Sequence, residues 1–142
     1  ARTVPVEKIS HELSELWRIT KESLFVGIHE AVAGNRTGDI GNAIETFIKP
    51  HKYGIVKELA GHGVGRNIHE DPYVPNYGQK KTGALLKEGM VIAIEPMINL
   101  GKAGVIFDKD EYTVYTKDRL PSAHFEHTIL ITNGEPEILT NY

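Results

Sequence analysis

The sequence has no cysteine, which excludes disulfide bonds, thiolate metal ligands and a thiol nucleophile and is typical of a reducing compartment such as the cytoplasm. It also lacks any apolar run of the about 18–20 residues that a membrane span needs. Charge of one sign is not in excess, since the net charge is −3 over 142 residues. We therefore expect a cytoplasmic protein without membrane attachment, and the charge balance gives no reason to expect nucleic-acid binding.

What is present is the composition of one compact domain, with 40% apolar and 25% charged residues. From Leu13 onward, apolar residues recur at three- and four-residue steps, which predicts an amphipathic helix of about twenty residues. Ser10 would cap this helix, and it would end near Gly34. A second helix is predicted to begin with Thr37 as its cap and to end at Pro50.

The rest of the chain has the pattern of strands separated by turns. Apolar and β-branched segments between turn signals predict strands at 55–59, 90–98, 104–107, 112–116, 126–132 and 137–139. The segment from Asp71 to Lys81 is instead predicted to be a loop, because it is rich in Pro, Asn, Gly and Tyr. Helices first and strands afterwards favour an α+β fold with a mostly antiparallel sheet.

One glycine-rich stretch, GHGVGRNIHE at 61–70, contains two histidines seven residues apart. Imidazole ligates metals and titrates near neutral pH, and the glycines permit positive φ and a close approach of the backbone to a bound group. A metal site is not the sole interpretation of this stretch. Each histidine could be a loop residue satisfied by local hydrogen bonds. The alternating glycines also resemble a phosphate-binding loop superficially, although no Gly-Lys-Ser/Thr follows them.

Two apolar runs each contain a single carboxylate, Glu95 and Glu126. An ionised carboxylate buried in such a run is costly unless a cation or hydrogen bonds compensate it. Either residue could instead face solvent on an edge strand, but Ala93 and Met97 make the face of Glu95 a poor one for water. Two carboxylates together with the imidazole of His62 suit divalent cations such as Mn, Fe, Co or Zn.

Several residues near these segments have less defined roles. His124 and Thr128 share the face of Glu126, which weakens the argument for burial there and leaves the role of His124 open. Strand alternation turns His127 to the opposite face, so we predict a structural role for it. Tyr112, which lies among charged residues, is either a pocket wall or a cross-strand packing residue.

Three segments resemble the sequence motifs of the methionine aminopeptidases, in that family's order and at similar spacing. They are AGHGVGRNIHEDP at 60–72, LKEGM at 86–90 followed by IEPM at 94–97, and SAHFEHT at 122–128. The two predicted helices also fit, so the resemblance covers essentially the whole chain. The short separation of His69 from Glu95 and the absence of a long insertion near the C-terminus favour the type I form of bacteria and organelles.

The resemblance implies a pita-bread fold, in which two α+β halves related by pseudo-symmetry enclose two divalent metal ions, with Co, Mn, Fe or Zn as the choices. It implies that His62, Glu95 and Glu126 are metal ligands and that Glu126 bridges both ions. Glu95 is also implied in proton handling. The implied reaction is attack of a metal-bound hydroxide on the first peptide bond of peptides or nascent chains that begin with methionine.

The same resemblance implies roles in substrate binding for three further residues. His69 would hydrogen-bond the substrate or the tetrahedral intermediate, which makes it a catalytic residue together with Glu95. Ile68 and Tyr112 occupy positions at which the family lines its methionine side-chain pocket. The family usually has Phe at the first of these positions and Trp at the second.

The sequence departs from the family's pattern, because two aspartate ligands and a further catalytic histidine come from the family's N-terminal half and do not occur here. The resemblance therefore implies that residues 1–142 are the C-terminal part of the catalytic domain and need the N-terminal half as a partner. Two alternatives remain, a pita-bread protein that binds without catalysis and an Xaa-Pro aminopeptidase-like enzyme. The intact set of His62, Glu95 and Glu126 argues against the first, and the motif at 61–72 argues against the second.

Overall fold

The structure is a computed structural model, and it describes residues 1–110 and 112–140. Two helices come first, α1 (His11–His29) and α2 (Thr37–Ile48), and a 3-10 turn at Lys49–His51 follows. The strands are β1 (Gly54–Ile55), β2 (Gly61–Gly63), β3 (Glu70–Val74), β4 (Val91–Ile94), β5 (Met97–Asn99), β6 (Val105–Phe107), β7 (Val114–Thr116), β8 (Ser122–His124), β9 (His127–Leu130) and β10 (Glu137–Ile138). Neither helix has both the length and the apolar content needed to cross a membrane.

The strands form two sheets and a hairpin within the described ranges, and every pair is antiparallel. The larger sheet has the order β10-β9-β4-β2-β3, the smaller sheet has the order β1-β5-β8, and β6 pairs with β7. Helix α1 packs against α2 and against strands of both sheets, while α2 also contacts β3. The α+β class and the antiparallel pairing predicted from the sequence are confirmed.

The core consists of aliphatic side chains contributed by both helices and both sheets. Burying each of these residues stabilises the fold by roughly 1.5–3 kcal/mol relative to leaving it exposed. The most deeply buried include Ile19 and Leu24 of α1, Ile40, Ile44 and Ile48 of α2, and Ile92, Ile94, Ile98 and Ile129 of the strands. The four-residue spacing within α2 places its three isoleucines on one face, as the sequence pattern predicts.

The strand predicted at 90–98 is interrupted at Glu95, and the strand predicted at 126–132 begins just after Glu126. The predicted strand 90–98 is β4 and β5, and the residues between them are Glu95 and Pro96. The predicted strand 126–132 is shorter, and it is preceded by β8, with Phe125 and Glu126 between β8 and β9. Pro96 has no N–H for a ladder hydrogen bond, which is a local reason for the first interruption.

The two interruptions lie side by side, and we call them together the strand switch (95–96 and 125–126). On one side, β4 pairs with β9 in the larger sheet and Ile94 is opposite His127. On the other side, β5 pairs with β8 in the smaller sheet and Met97 is opposite His124. Both segments therefore leave one sheet and enter the other at neighbouring positions, which places Glu95 and Glu126 close together.

The predicted end of α1 is wrong by about five residues, although the predicted cap is right. Ser10 accepts a hydrogen bond from the Leu13 N–H at 3.3 Å, as expected for an N-cap. The helix ends at His29 and is followed by Glu30 in helical geometry. Gly34 does have a left-handed conformation, with φ of +95°, but it lies in the connection to α2.

The predicted cap of α2 is also wrong, because Thr37 is the first helical residue and Arg36 precedes it. The Asp39 carboxylate accepts the Arg36 N–H at 2.8 Å and closes the first turn. The Thr37 hydroxyl is instead used in a tertiary contact, since it accepts the N–H of Ala84 at 3.2 Å. Because Ala84 is distant in sequence, the residues around Thr37 do not indicate that its hydroxyl makes this contact.

The segments around the glycine-rich stretch also differ from the prediction. The strand expected at 55–59 is reduced to β1, which includes only Ile55 of that segment. The loop expected from Asp71 begins as β3, which is the edge strand of the larger sheet. An edge strand tolerates Pro72, because a missing N–H on its outer side removes no ladder bond. The loop prediction is therefore wrong for 71–74 and right for 75–81, which contain no helix or strand.

Candidate metal centre

Strand β2 holds His62 between two glycines that neighbouring strands approach closely. A Cβ on Gly61 would collide with the carbonyl oxygen of Ala93, and one on Gly63 would collide with that of Asp71. Neither glycine has a positive φ. The glycines thus permit a close approach, as expected, but it is neighbouring strands that approach them, and the positive φ that glycine allows is not used. The pairing register shifts between His62 and Gly63, and a shift of this kind re-aims a side chain.

The His62 imidazole is oriented by a hydrogen bond on one nitrogen and faces a carboxylate with the other. Nδ1 lies 2.9 Å from the carbonyl oxygen of Gly63. When Nδ1 carries the proton and donates to that carbonyl, the lone pair of Nε2 is free to bind a metal. Nε2 lies 3.5 Å from Oε1 of Glu95. The tautomer favoured by the backbone is therefore the one that a ligand requires.

His69 lies directly against His62 on the exposed side of the site. The two ring centroids are 4.2 Å apart and the planes are inclined by 59°. The loop between them is closed by Glu70, whose carboxylate accepts the Asn67 N–H at 2.8 Å and occupies the space that a side chain on Gly65 would need. The structure brings the two predicted histidines together.

Glu95 lies between two imidazoles and is mostly buried, with 15% of its side chain exposed. Its Oε1 faces His62, and its Oε2 lies 3.4 Å from Nε2 of His124. Its carbonyl oxygen accepts a hydrogen bond from Nδ2 of Asn76 at 3.0 Å, which fixes the main chain at the strand switch. The solvent-facing alternative for this carboxylate is therefore wrong.

Glu126 lies beside the first residues of the chain. Its N–H donates to the carbonyl oxygen of Ala1 at 2.9 Å, and its Oε2 lies 3.2 Å from the Ala1 amino nitrogen. Glu95, His124 and Glu126 each offer one ligand atom such that all three atoms lie within 4.8 Å of one another. His62 adjoins this triplet through Glu95.

His127 points away from these groups. Its Nδ1 lies 2.9 Å from Oγ1 of Thr140, and its ring packs at an inclined angle against Phe25 with centroids 5.9 Å apart. Burial lowers the pKa of His127 from its ordinary value. These contacts agree with the structural role predicted for this histidine.

Ile68 and Tyr112 are both largely exposed, with 77% and 91% of each residue accessible. Ile68 lies in the loop that carries His69, and Tyr112 lies between β6 and β7. The cross-strand packing considered for Tyr112 does not occur, because a residue so exposed packs little of its ring. Their predicted place in a methionine pocket stays a prediction.

The donors at the strand switch fit a divalent metal ion. Two carboxylates with neutral imidazoles provide two negative charges, and carboxylate oxygen with imidazole nitrogen suits Mn, Fe, Co or Zn. Nε2 of His124 is buried and has no hydrogen-bond partner among the described residues. A buried nitrogen left without a partner is unfavourable, and a cation beside Glu95 and Glu126 would satisfy it.

Sequence reasoning left the role of His124 open, although a signal for it was present. His124 and Glu126 are two residues apart, and a spacing of two places side chains on one face of a strand. In the sequence, a polar residue on the same face as Glu126 speaks against burial of that face. The structure shows that the shared face is the face of the site.

Comparisons with known proteins identify the family of the chain. The family model described as metallopeptidase family M24 matches residues 1–133. The chain is 45% identical over 140 residues to a methionine aminopeptidase of Clostridium acetobutylicum, covering 99% of this chain and 56% of the relative. It therefore spans about half the length of the curated relatives it matches.

Solved structures of methionine aminopeptidases and prolidases have a similar fold. A methionine aminopeptidase of Thermotoga maritima superposes with a TM-score of 0.92 at 42% identity, covering 96% of this chain and 55% of that one. A prolidase of Pyrococcus furiosus superposes with a TM-score of 0.76 at 29% identity, covering 99% of this chain and 36% of that one. The pita-bread α+β fold predicted from the sequence is confirmed.

Proposed function

Since the chain belongs to metallopeptidase family M24, we propose that it forms the C-terminal part of an aminopeptidase that removes methionine from the N-terminus of nascent proteins and peptides. The observation that carries this proposal is the strand switch, which brings Glu95 and Glu126 together beside His62. The greater likeness to methionine aminopeptidases than to a prolidase supports methionine as the residue removed.

In this proposal, His62, Glu95 and Glu126 hold two divalent metal ions, drawn from Co, Mn, Fe and Zn. Such ions lower the pKa of a bound water and polarise the carbonyl group that is attacked. The side chains are already converged, since the carboxylate of Glu95 lies 3.5 Å from Nε2 of His62. Preorganised ligands of this kind reduce the cost of assembling a site when the ions bind.

His69 and Glu95 move protons and stabilise charge. His69, whose ring lies against that of His62 at the exposed side, would donate a hydrogen bond to the oxygen of the scissile carbonyl as negative charge develops there. Glu95 would accept a proton from the attacking water and pass it to the leaving amino group. The water oxygen then joins the methionine carbonyl carbon, the C–N bond breaks, and the shortened peptide leaves with a free amino group.

Ile68 and Tyr112 are proposed to line the pocket for the methionine side chain. Their exposed apolar surfaces support this role, because they are accessible to an incoming side chain. The proposed substrates are peptides and nascent chains that begin with methionine. Such chains are produced where translation takes place, so we propose a cytoplasmic location.

The N-terminal half of the same enzyme is the proposed partner of this chain. The first residues run antiparallel to the strand switch, because the Thr3 N–H donates to the His124 carbonyl at 2.9 Å and the Glu126 N–H donates to that of Ala1. Chain preceding Ala1 would therefore pass beside Glu126. It could supply the two aspartate ligands and the second histidine that the family's pattern contains.

The proposal is tested with the full-length protein and a Met-Ala-Ser peptide. We expect cleavage with Mn²⁺ or Co²⁺, loss of cleavage after chelation, and recovery when metal is restored. Glu126→Gln should reduce turnover to background, because the side chain would lose the negative charge with which it would hold the ions. Glu135→Gln is the matched control, since Glu135 is exposed and lies outside the site. Turnover that survives in the Glu126 variant would reject the proposal.

The two alternatives give different results in the same system. An Xaa-Pro aminopeptidase-like enzyme would cleave Xaa-Pro peptides in preference to peptides beginning with methionine. A pita-bread protein that binds without catalysis would cleave none of them and would show no tight site in a calorimetric titration with Mn²⁺ or Co²⁺. We expect tight metal binding and preference for methionine.

A further inference from the structure

His124 has a buried nitrogen that no protein group satisfies in the part of the chain that the structure describes. This atom, Nε2, has no hydrogen-bond partner there, although 36% of the side chain is exposed. The exposed part of the ring therefore lies on the other side, and the unpartnered nitrogen points inward. The nearest ionisable contact is Oε2 of Glu95 at 3.4 Å.

The backbone of His124 is held in place on both sides, so this orientation is built into the fold. Its N–H donates to Oγ1 of Thr3 at 2.8 Å, and its carbonyl accepts from the Thr3 N–H at 2.9 Å. On the other edge, β8 pairs with β5 and places Met97 opposite His124. The side chain projects from a fixed position at the strand switch.

The position of His124 complements that of His62. The two imidazoles approach different oxygens of Glu95, and the ligand atom of His124 also lies within 4.8 Å of that of Glu126. Three groups at this spacing can share one cation. A neutral imidazole adds a donor without adding charge, so the two carboxylates still match a divalent ion.

We propose that His124 is an additional metal ligand, which binds through Nε2 to the ion held by Glu95 and Glu126. This inference rests on the proposed metal site and assigns to it a second imidazole donor. Imidazole suits Zn and Fe better than Mn, which carboxylates serve well, and nitrogen and oxygen sites generally bind Co²⁺ more tightly than Mn²⁺. His124 therefore also shifts the preference of the site from Mn²⁺ towards Co²⁺.

The test is paramagnetic NMR of the full-length protein loaded with Co²⁺. The ring protons of a coordinated imidazole are strongly shifted, so each histidine ligand gives its own set of signals. We expect His124→Gln to remove one set and His62→Asn to remove a different one. His11→Gln is the matched control, because His11 lies at the exposed start of α1, and it should leave all signals unchanged.

A second measurement separates a ligand from a residue that only positions Glu95. His124→Gln should lower Co²⁺ affinity at least about 10-fold, since even the loss of a ligand's supporting partner costs 10–100-fold, and should lower Mn²⁺ affinity by a smaller factor. Retention of every shifted set, with equal loss of both affinities, overturns the proposal while leaving the proposed function intact. A full-length protein that binds no Co²⁺ overturns both.

Discussion

At the residue scale, the site is a series of side chains in which each group contacts the next. The Gly63 carbonyl orients His62, His62 faces one oxygen of Glu95, and His124 faces the other. His69 stands apart from this row, because it contacts the ring of His62 from the solvent side. A histidine in that position is accessible to a substrate and is not among the groups that face Glu95, so we expect His69 to bind substrate and not metal.

His69→Asn should therefore reduce catalysis without removing the metal. If His69 donates to the developing oxyanion, its loss should lower kcat about 10²–10³-fold, the range found for the loss of one such donor. The measurement is steady-state turnover of a Met-Ala-Ser peptide, with metal affinity determined on the same preparation. His29→Asn, at the exposed end of α1, should leave both quantities unchanged. A large fall in metal affinity in the His69 variant would contradict this role.

Single residues differ in how much the sequence reveals of them. Glu95 was identified because an acid flanked by Ala93 and Met97 is out of place in an apolar strand, and the structure shows it mostly buried. The placement of His124 on Glu95 could not be predicted, because it depends on pairing between segments whose register the sequence does not state. Spacing suggested a shared face with Glu126 and nothing about the distance.

At the element scale, the strand switch is what converts two ordinary antiparallel pairs into a site. Because β4–β9 and β5–β8 belong to different sheets, the residues between them lie outside the ladders, and their side chains are not committed to a sheet face. The sequence predicted one continuous strand at 90–98, since the hydrophobic pattern continues across the break. Only Pro96 marked it locally.

Close packing of β2 against its neighbours gives a prediction about stability. Gly61→Ala should lower the free energy of unfolding by about 1–3 kcal/mol, because the added methyl group has no space beside the carbonyl of Ala93. The measurement is urea denaturation at fixed metal concentration. Gly134→Ala is the control, since a Cβ there meets nothing within 4 Å. Equal stability of the two variants would contradict the close contact between Gly61 and the carbonyl oxygen of Ala93.

At the scale of the whole molecule, the chain has a folded core of its own, and in the proposed function it supplies part of a metal centre. Helix α1 contacts both sheets, so one core supports β4, β5, β8 and β9 and holds the strand switch in place. The first residues pair with the switch, and we have proposed that preceding chain adds further ligands there. Fold class and motif order were predictable from the sequence because they depend on periodicity and spacing, whereas the two-sheet arrangement depends on long-range pairing.

Every role proposed for these side chains depends on divalent metal binding at the strand switch, and anomalous diffraction from crystals of the full-length protein grown with Zn²⁺ would locate that metal. We expect an anomalous peak bonded to Glu95, Glu126 and His62 at about 2.0–2.2 Å, the usual range for zinc with carboxylate and imidazole ligands. Crystals of catalytically active protein in which the only peaks lie away from Glu95 and Glu126 would contradict metal binding at the strand switch.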